Sequence, residues 1–259
     1  MNGARRFNWL GWLILAGLLL FWEYGARSSP KLQFYIPPVS EILAALGRLF
    51  LSGEIAGHLL YTLSRFAQGY VTAALLAVSL GVLLGYFRLL HHLLETVIEF
   101  LRPMPSVAII PVAVLTLGIG DAMIVAVTVY ASVWPILVNT MDGVKHIEPT
   151  LIDTARTFGL RRWAILRQVV LPGASPYIVT GLRISLSIAL ILVTTAEMIA
   201  GSRGLGFFIL DQERSFNSGN MYAGIIVVAA LGYGLNWLFL RLEARMLRWR
   251  SGIIAHPAM

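Results

Sequence analysis

The chain has 259 residues, a net charge of +7 and no cysteine, and it is 58% hydrophobic but only 13% charged. A water-soluble domain carries about 25% charged residues, so this composition excludes an ordinary soluble protein and points to a bilayer. The absence of cysteine excludes a disulfide framework and a thiolate metal site, and the basic residues punctuate apolar runs instead of forming one nucleic-acid-binding patch.

The first apolar run, Phe7 to Trp22, follows Arg5 and Arg6. It is long for the core of a secretory signal and lacks a clean small-x-small cleavage site, so it reads as a retained first span. The stretch "PPVSEILAALGRLFLSGE" (37–54) follows, with Ile42, Leu43, Leu46, Leu49 and Phe50 at helical spacing. Its length and charge suit an amphipathic packing helix on the outer surface more than a crossing.

Spans are expected at about 8–25, 60–87, 97–118, 122–142, 176–198 and 220–241, each offering the roughly 20 apolar residues a membrane helix needs. The second contains Gly69, Ala73, Ala77, Gly81 and Gly85, a small residue at every fourth position. Lipid supplies no hydrophobic drive for helices to associate, so this stripe predicts close helix packing within the subunit. With the N-terminus inside, twelve Lys/Arg fall on the inner side and five on the outer, so both termini are expected in the cytosol. The chain is thus expected to be an all-α integral membrane protein of about six transmembrane helices.

Charges within spans need a reason, since each costs about 2.5–3.5 kcal/mol on insertion scales. Arg102 stands in "LRPMPS" beside two prolines, placed about one turn into the third span. It either snorkels to lipid phosphate or lines a path for an anion. Arg183, in the fifth span, has the same two readings. Glu197, near the outer end of that span, is either solvated or part of an outer gate. Trp134 and Asn139 flank Pro135 in the fourth span and complete the candidates for a translocation pathway. His91 and His92 fall in a cytosolic turn with too few further ligands for a metal.

Between the fourth and fifth spans lies a polar segment, about 145–172, containing "DTARTFGLRRWAILRQVVLP". Glu148-Pro149 suit a helix start, and Leu151, Ala155 and Phe158 share one face. Gly159 ends that helix in the left-handed conformation. A second helix should place Trp163, Leu166 and Val170 on one face and stop at Leu171-Pro172. The sequence therefore predicts a cytosolic helix-turn-helix stiff enough to transmit force.

This segment resembles the cytosolic signature of permease subunits of ATP-binding-cassette importers: Glu-Ala-Ala, three residues, Gly, nine residues, Ile, one residue, Leu-Pro. Gly159, Val169 and Leu171-Pro172 stand at that spacing, while the opening triplet departs from it as Asp153-Thr154-Ala155. The blocks "PPVSEIL", "SGEIAGHLLYTLSRFAQGY", "LRPMPSVAIIPVAVLTLGIGD", "WPILVNTMDGV", "LPGASPYIVTGLRISL" and "AEMIAGSRGLGFFI" resemble the nitrate/sulfonate/taurine-type branch.

The resemblance implies a single permease domain over 1–259 in a bacterial inner membrane, paired with a second copy of itself. It implies ATPase coupling through Asp153, Thr154, Ala155, Phe158, Gly159, Leu171 and Pro172, and a binding protein, periplasmic or lipid-anchored, that delivers a small, anionic solute. No G-x-x-x-x-G-K-[ST] loop occurs, so ATP and Mg are expected in a cytosolic partner ATPase, with no cofactor and no catalysis in this chain. The rival reading is an ATP-independent secondary transporter or channel, for which internal inverted repeats would be the signature. No clear repeat links the halves.

Overall fold

The computed structural model describes residues 9–248, so Arg5, Arg6, Arg250 and the start of the first apolar run lie outside the described residues. Among the described residues the chain is helical, without strands. The helices α1 (Trp9–Arg27), α2 (Pro30–Tyr35) and α3 (Val39–Leu51) lead to α4 (Glu54–Tyr86). Then come α5 (Arg88–Leu101), a 3-10 turn (Ser106–Ile109), α6 (Ile110–Leu117) and α7 (Asp121–Lys145). The polar segment forms α8 (Pro149–Thr157) and α9 (Arg162–Ile165), followed by α10 (Leu171–Ala200), α11 (Leu205–Arg214) and α12 (Ser218–Met246).

The centre is a sandwich of α4, α7 and α10. The small-residue stripe of α4 meets α7 closely: a Cβ on Gly69 would fall 2.6 Å from Thr128, one on Gly81 2.7 Å from Thr140, and one on Gly85 2.7 Å from Val144. Each partner lies 59 positions further along the chain, so the two helices run parallel and stay in register for four turns. On the other side, Gly143 meets Tyr177 and Gly181 meets Asn139, which makes α7 and α10 antiparallel. Close backbone approach is the main attraction available between helices in lipid, and the stripe serves it within one subunit.

Six stretches are long and apolar enough to cross a membrane, among the described residues. They differ in places from the expected spans. Residues 30–51 qualify, because α2 extends the α3 segment expected to lie on the surface; α3 buries Ile42, Ala45 and Leu49 against α11 and α12. The interval 97–118 is instead a broken pair, with α5 bent by 89° against 106–117. Pro103 and Pro105 remove backbone donors at that bend.

A second correction concerns Leu171-Pro172. These residues do not stop the helix: one helical run extends from Arg162 to Ala200, 39 residues in all. Leu166–Val170 form a π turn, in which the Leu171 N–H donates to the carbonyl of Leu166, five residues back. The wide turn ends next to Pro172, which has no N–H to give, and the α-helix resumes with proline at its first positions.

At the periphery, α1 is almost wholly exposed and is tied down near its C-terminal end. Glu23 accepts hydrogen bonds from the Ser40 backbone N–H (3.1 Å), the Ser40 hydroxyl (2.8 Å) and Arg27 (2.8 Å). Its carboxylate thereby caps α3, whose own N-cap is Pro38 and has no side-chain acceptor.

Candidate coupling element and polar sites in the membrane

Helix α8 starts with Pro149 at its first turn and ends in a Schellman turn. Gly159 has φ of +78°, its N–H donates to Arg156 O (2.8 Å), and the Leu160 N–H reaches Ala155 O (3.1 Å). Ala155 is buried with Val82, Val144, Ile165 and Val170, which fixes α8 to the ends of α4 and α7. Thr154 and Asp153 face outward, and Asp153 pairs with Arg156 at 3.0 Å. That pair is exposed and contributes little, about 0–1 kcal/mol.

The expected apolar faces need correction. Leu151 is half-exposed and Phe158, which has left the helical conformation, is 82% exposed, so only Ala155 of that face turns inward. In the following run Leu166 and Val170 are buried while Trp163 is exposed, with Ile165 taking its place inside. Large apolar side chains thus project at the tip of the loop.

Of the two readings of Glu197, solvated or part of an outer gate, the structure overturns the first: the side chain is fully buried. Both its carboxylate oxygens lie 2.9 Å from the Thr62 hydroxyl, and it also accepts from the Gly206 N–H at 2.9 Å. Thr62 in turn accepts from the Leu205 N–H at 2.8 Å, and His58 accepts from the Gly204 N–H at 3.2 Å. The network pins the loop 201–204 and the first turn of α11 onto α4 and α10. A Cβ on Gly204 would overlap the Glu197 carboxylate, and one on Gly206 the Thr194 carbonyl, which is why glycine stands at both positions.

The remaining pathway candidates are not brought together into one site. Arg102 caps α5 and is exposed; the preceding carbonyl, Leu101 O, accepts from the Tyr130 hydroxyl at 2.9 Å. Tyr130 is near the middle of α7, so Arg102 sits much deeper than the one turn into its span that was expected. Asn139 donates to Pro135 O (2.8 Å), satisfying the carbonyl beside the in-helix proline, and the Trp134 indole N–H is buried without a partner. Arg183 lies 3.8 Å from Glu243 of α12, beside a cavity of about 480 Å³ that Thr180, Ser187 and Asn236 also line.

Sequence reasoning missed a second polar cluster near the N-terminal ends of α4 and α7. Arg65 pairs with Asp121 at 2.6 Å and lies over the Tyr61 ring, while the Tyr61 hydroxyl also donates to Asp121. This ties α4 to the first turn of α7. The signal was the i, i+4 spacing of Tyr61 and Arg65, but nothing local indicated Asp121.

The family described as the binding-protein-dependent transport system inner membrane component matches residues 69–248. The chain belongs to this family. The permease is 28% identical over 250 residues to the putative aliphatic sulfonates transport permease SsuC of Bacillus subtilis, covering 96% of this chain and 91% of that protein. It is 30% identical to the taurine transport system permease TauC of Escherichia coli, over 92% of this chain and 89% of that one. To the bicarbonate transport system permease CmpB of Synechococcus elongatus it is 34% identical, over 91% and 86%. A chain of the MetNI methionine ABC transporter, solved in inward-facing conformations, matches with a TM-score of 0.61 over 71% of the permease and 92% of that chain. At 21% identity that likeness is one of fold. The resemblance drawn from the sequence blocks therefore holds: this is a helical membrane permease of the ATP-binding-cassette importer type.

Proposed function

We propose that two copies of the permease form the inner-membrane pathway for a small oxyanion, with the sulfonate group as the first candidate, driven by a cytosolic ATPase that grips α8. ATP and Mg²⁺ are bound by that partner, and a binding protein presents the solute from outside. The orientation follows the positive-inside bias, which puts both termini and the 145–172 loop in the cytosol.

One observation carries the coupling role. The loop is not a detachable appendage, because the helical run that starts at Arg162, directly after the Gly159 turn, continues without a stop to Ala200. Force applied to α8 and its exposed Phe158 passes into one rod that reaches the outer side and the Glu197 network. Thr154 and Asp153 present the polar side of the same docking surface, and Leu171 and Pro172 mark the π turn within the rod.

The substrate class rests on Arg102. A cation at mid-depth, turned away from its own subunit, costs about 2.5–3.5 kcal/mol in lipid. Arg183 has Glu243 beside it, whereas Arg102 has no ion pair among the described residues. A second copy facing Arg102 across a water-filled path removes that cost and offers an anion its counter-charge. Trp134, Asn139 and Glu197 support the path from within the subunit. The relatives' solutes agree in chemistry, since aliphatic sulfonates, taurine and bicarbonate all present an oxyanion group.

Reconstitution of the permease with its ATPase and binding protein in proteoliposomes tests this reading. ATP-dependent uptake of an alkanesulfonate is the expected result. Uptake that proceeds without ATP or the ATPase favours the secondary-transporter reading and overturns this one.

A further inference from the structure

A cavity of about 860 Å³ lies apart from the pathway candidates, where α4 ends, α5 begins, α7 ends and α8 starts. That volume is within the about 300–1,000 Å³ usual for small-molecule sites. Its charge is one-sided. Arg88, Lys145, Arg156 and Arg162 line it against a single carboxylate, Asp153, which is already paired with Arg156. Arg88, Lys145 and Arg162 have no ion pair among the described residues. Lys145 Nζ lies 2.9 Å from His91 Nε2, so the ammonium donates and the imidazole hydrogen sits on Nδ1. His91 Nδ1 is itself buried with no partner. Glu95 stands behind this wall, 3.7 Å from His91 and 3.4 Å from His92, so the lining carries three cations without an ion pair and keeps a net positive charge.

We propose that this cavity binds the phosphate headgroup of an anionic phospholipid. Two features favour a lipid over a soluble anion. The cavity is framed by the C-terminal ends of α4 and α7, two helices long and apolar enough to cross a membrane, and by the start of α5, where a span would meet the headgroups. Beside it, α5 buries none of its residues, and Leu89 and Leu93 leave its first turns as an exposed apolar wall for acyl chains. Basic pockets between membrane helices on the cytosolic side take anionic headgroups by this combination of charge and depth. The occupied site braces the base of α8; it shares Asp153 with the proposed docking surface, while Thr154 and Phe158 lie outside its lining. The inference depends on the proposed orientation only for which leaflet supplies the lipid.

The test is a titration of the purified full-length permease with phosphatidylglycerol in a neutral detergent, read by native mass spectrometry, with phosphatidylcholine as the comparison. Phosphatidylglycerol is expected to bind more tightly, and the double variant Arg88→Gln/Lys145→Gln to lose about fivefold in affinity for each cation removed. Lys145→Arg should retain binding, and Arg214→Gln, at the opposite end, should leave it unchanged. These two variants separate loss of the site from loss of fold. Equal binding of phosphatidylcholine, or an undiminished affinity in the double variant, overturns the proposal. Displacement of the lipid by millimolar inorganic phosphate reassigns the site to a soluble anion, and displacement by the ATPase alone reassigns it to the protein partner. Because the titration is done in detergent without transport, failure of the importer reading does not affect its outcome.

Discussion

Gly81 of α4 and Thr140 of α7 approach so closely that a Cβ on the glycine would lie 2.7 Å from the threonine Cβ. The parallel register of the two helices rests on this contact and its equivalents at Gly69 and Gly85. Gly57, on the same helix, has open space where its Cβ would be. Gly81→Ala should destabilise the fold by about 1–3 kcal/mol through overpacking. Gly57→Ala should leave it unchanged or stabilise it by up to about 1 kcal/mol, since alanine is the better helix former. Thermal unfolding of the two variants in detergent gives midpoint shifts of opposite or null sign if the register is as described.

Glu197 accepts from the Gly206 N–H and the Thr62 hydroxyl in a fully buried site, so removing it leaves both donors without this acceptor. Glu197→Ala should cost about 1–3 kcal/mol for each buried group left unsatisfied. Glu197→Gln keeps one acceptor oxygen and should cost less. Limited proteolysis of loop 201–204 reads the difference directly. The alanine variant is expected to be cut faster and the glutamine variant to stay near wild type.

The Gly159 turn has a φ that proline cannot adopt, because its ring holds φ near about −65°. Gly159→Pro should insert into the membrane normally but abolish ATP-dependent uptake. Gly159→Ala, strained by about 1–2 kcal/mol in the left-handed region, should retain part of it. Uptake assays on both variants, with immunoblots for membrane content, check the order of severity.

Arg102→Gln should reduce uptake of an alkanesulfonate at least tenfold with little change in thermal stability, because the side chain is exposed and has no ion pair among the described residues. Arg183→Gln should weaken stability as well, since it leaves Glu243 without its partner. Side-by-side transport and melting measurements distinguish a residue of the path from one of the bundle.

Much of this architecture is legible along the chain, for a physical reason. Apolar runs, the fourfold repeat of small residues in α4 and the glycine at position 159 are local signals, and each has its structural counterpart here. The burial of Glu197 was not legible because its partner Thr62 is 135 positions away; beside a glycine-rich loop, an acid near a span end looks as readily solvated as gating. Pro172 was read as a stop because proline ends an α-helical ladder, but a π turn places it where no donor is required. The two prolines after Arg102 announced a break, yet neither its 89° angle nor the depth of Arg102 could be known before Leu101 met Tyr130.

The most direct test of the coupling role uses the absence of native cysteine: Thr154→Cys introduces a single, exposed thiol on α8. Labelling with a membrane-impermeant maleimide is compared in inverted and right-side-out vesicles, with and without the ATPase. Labelling is expected only in inverted vesicles, with protection when the ATPase is bound. Labelling from the outer side, or labelling that the bound ATPase leaves unchanged, would contradict it.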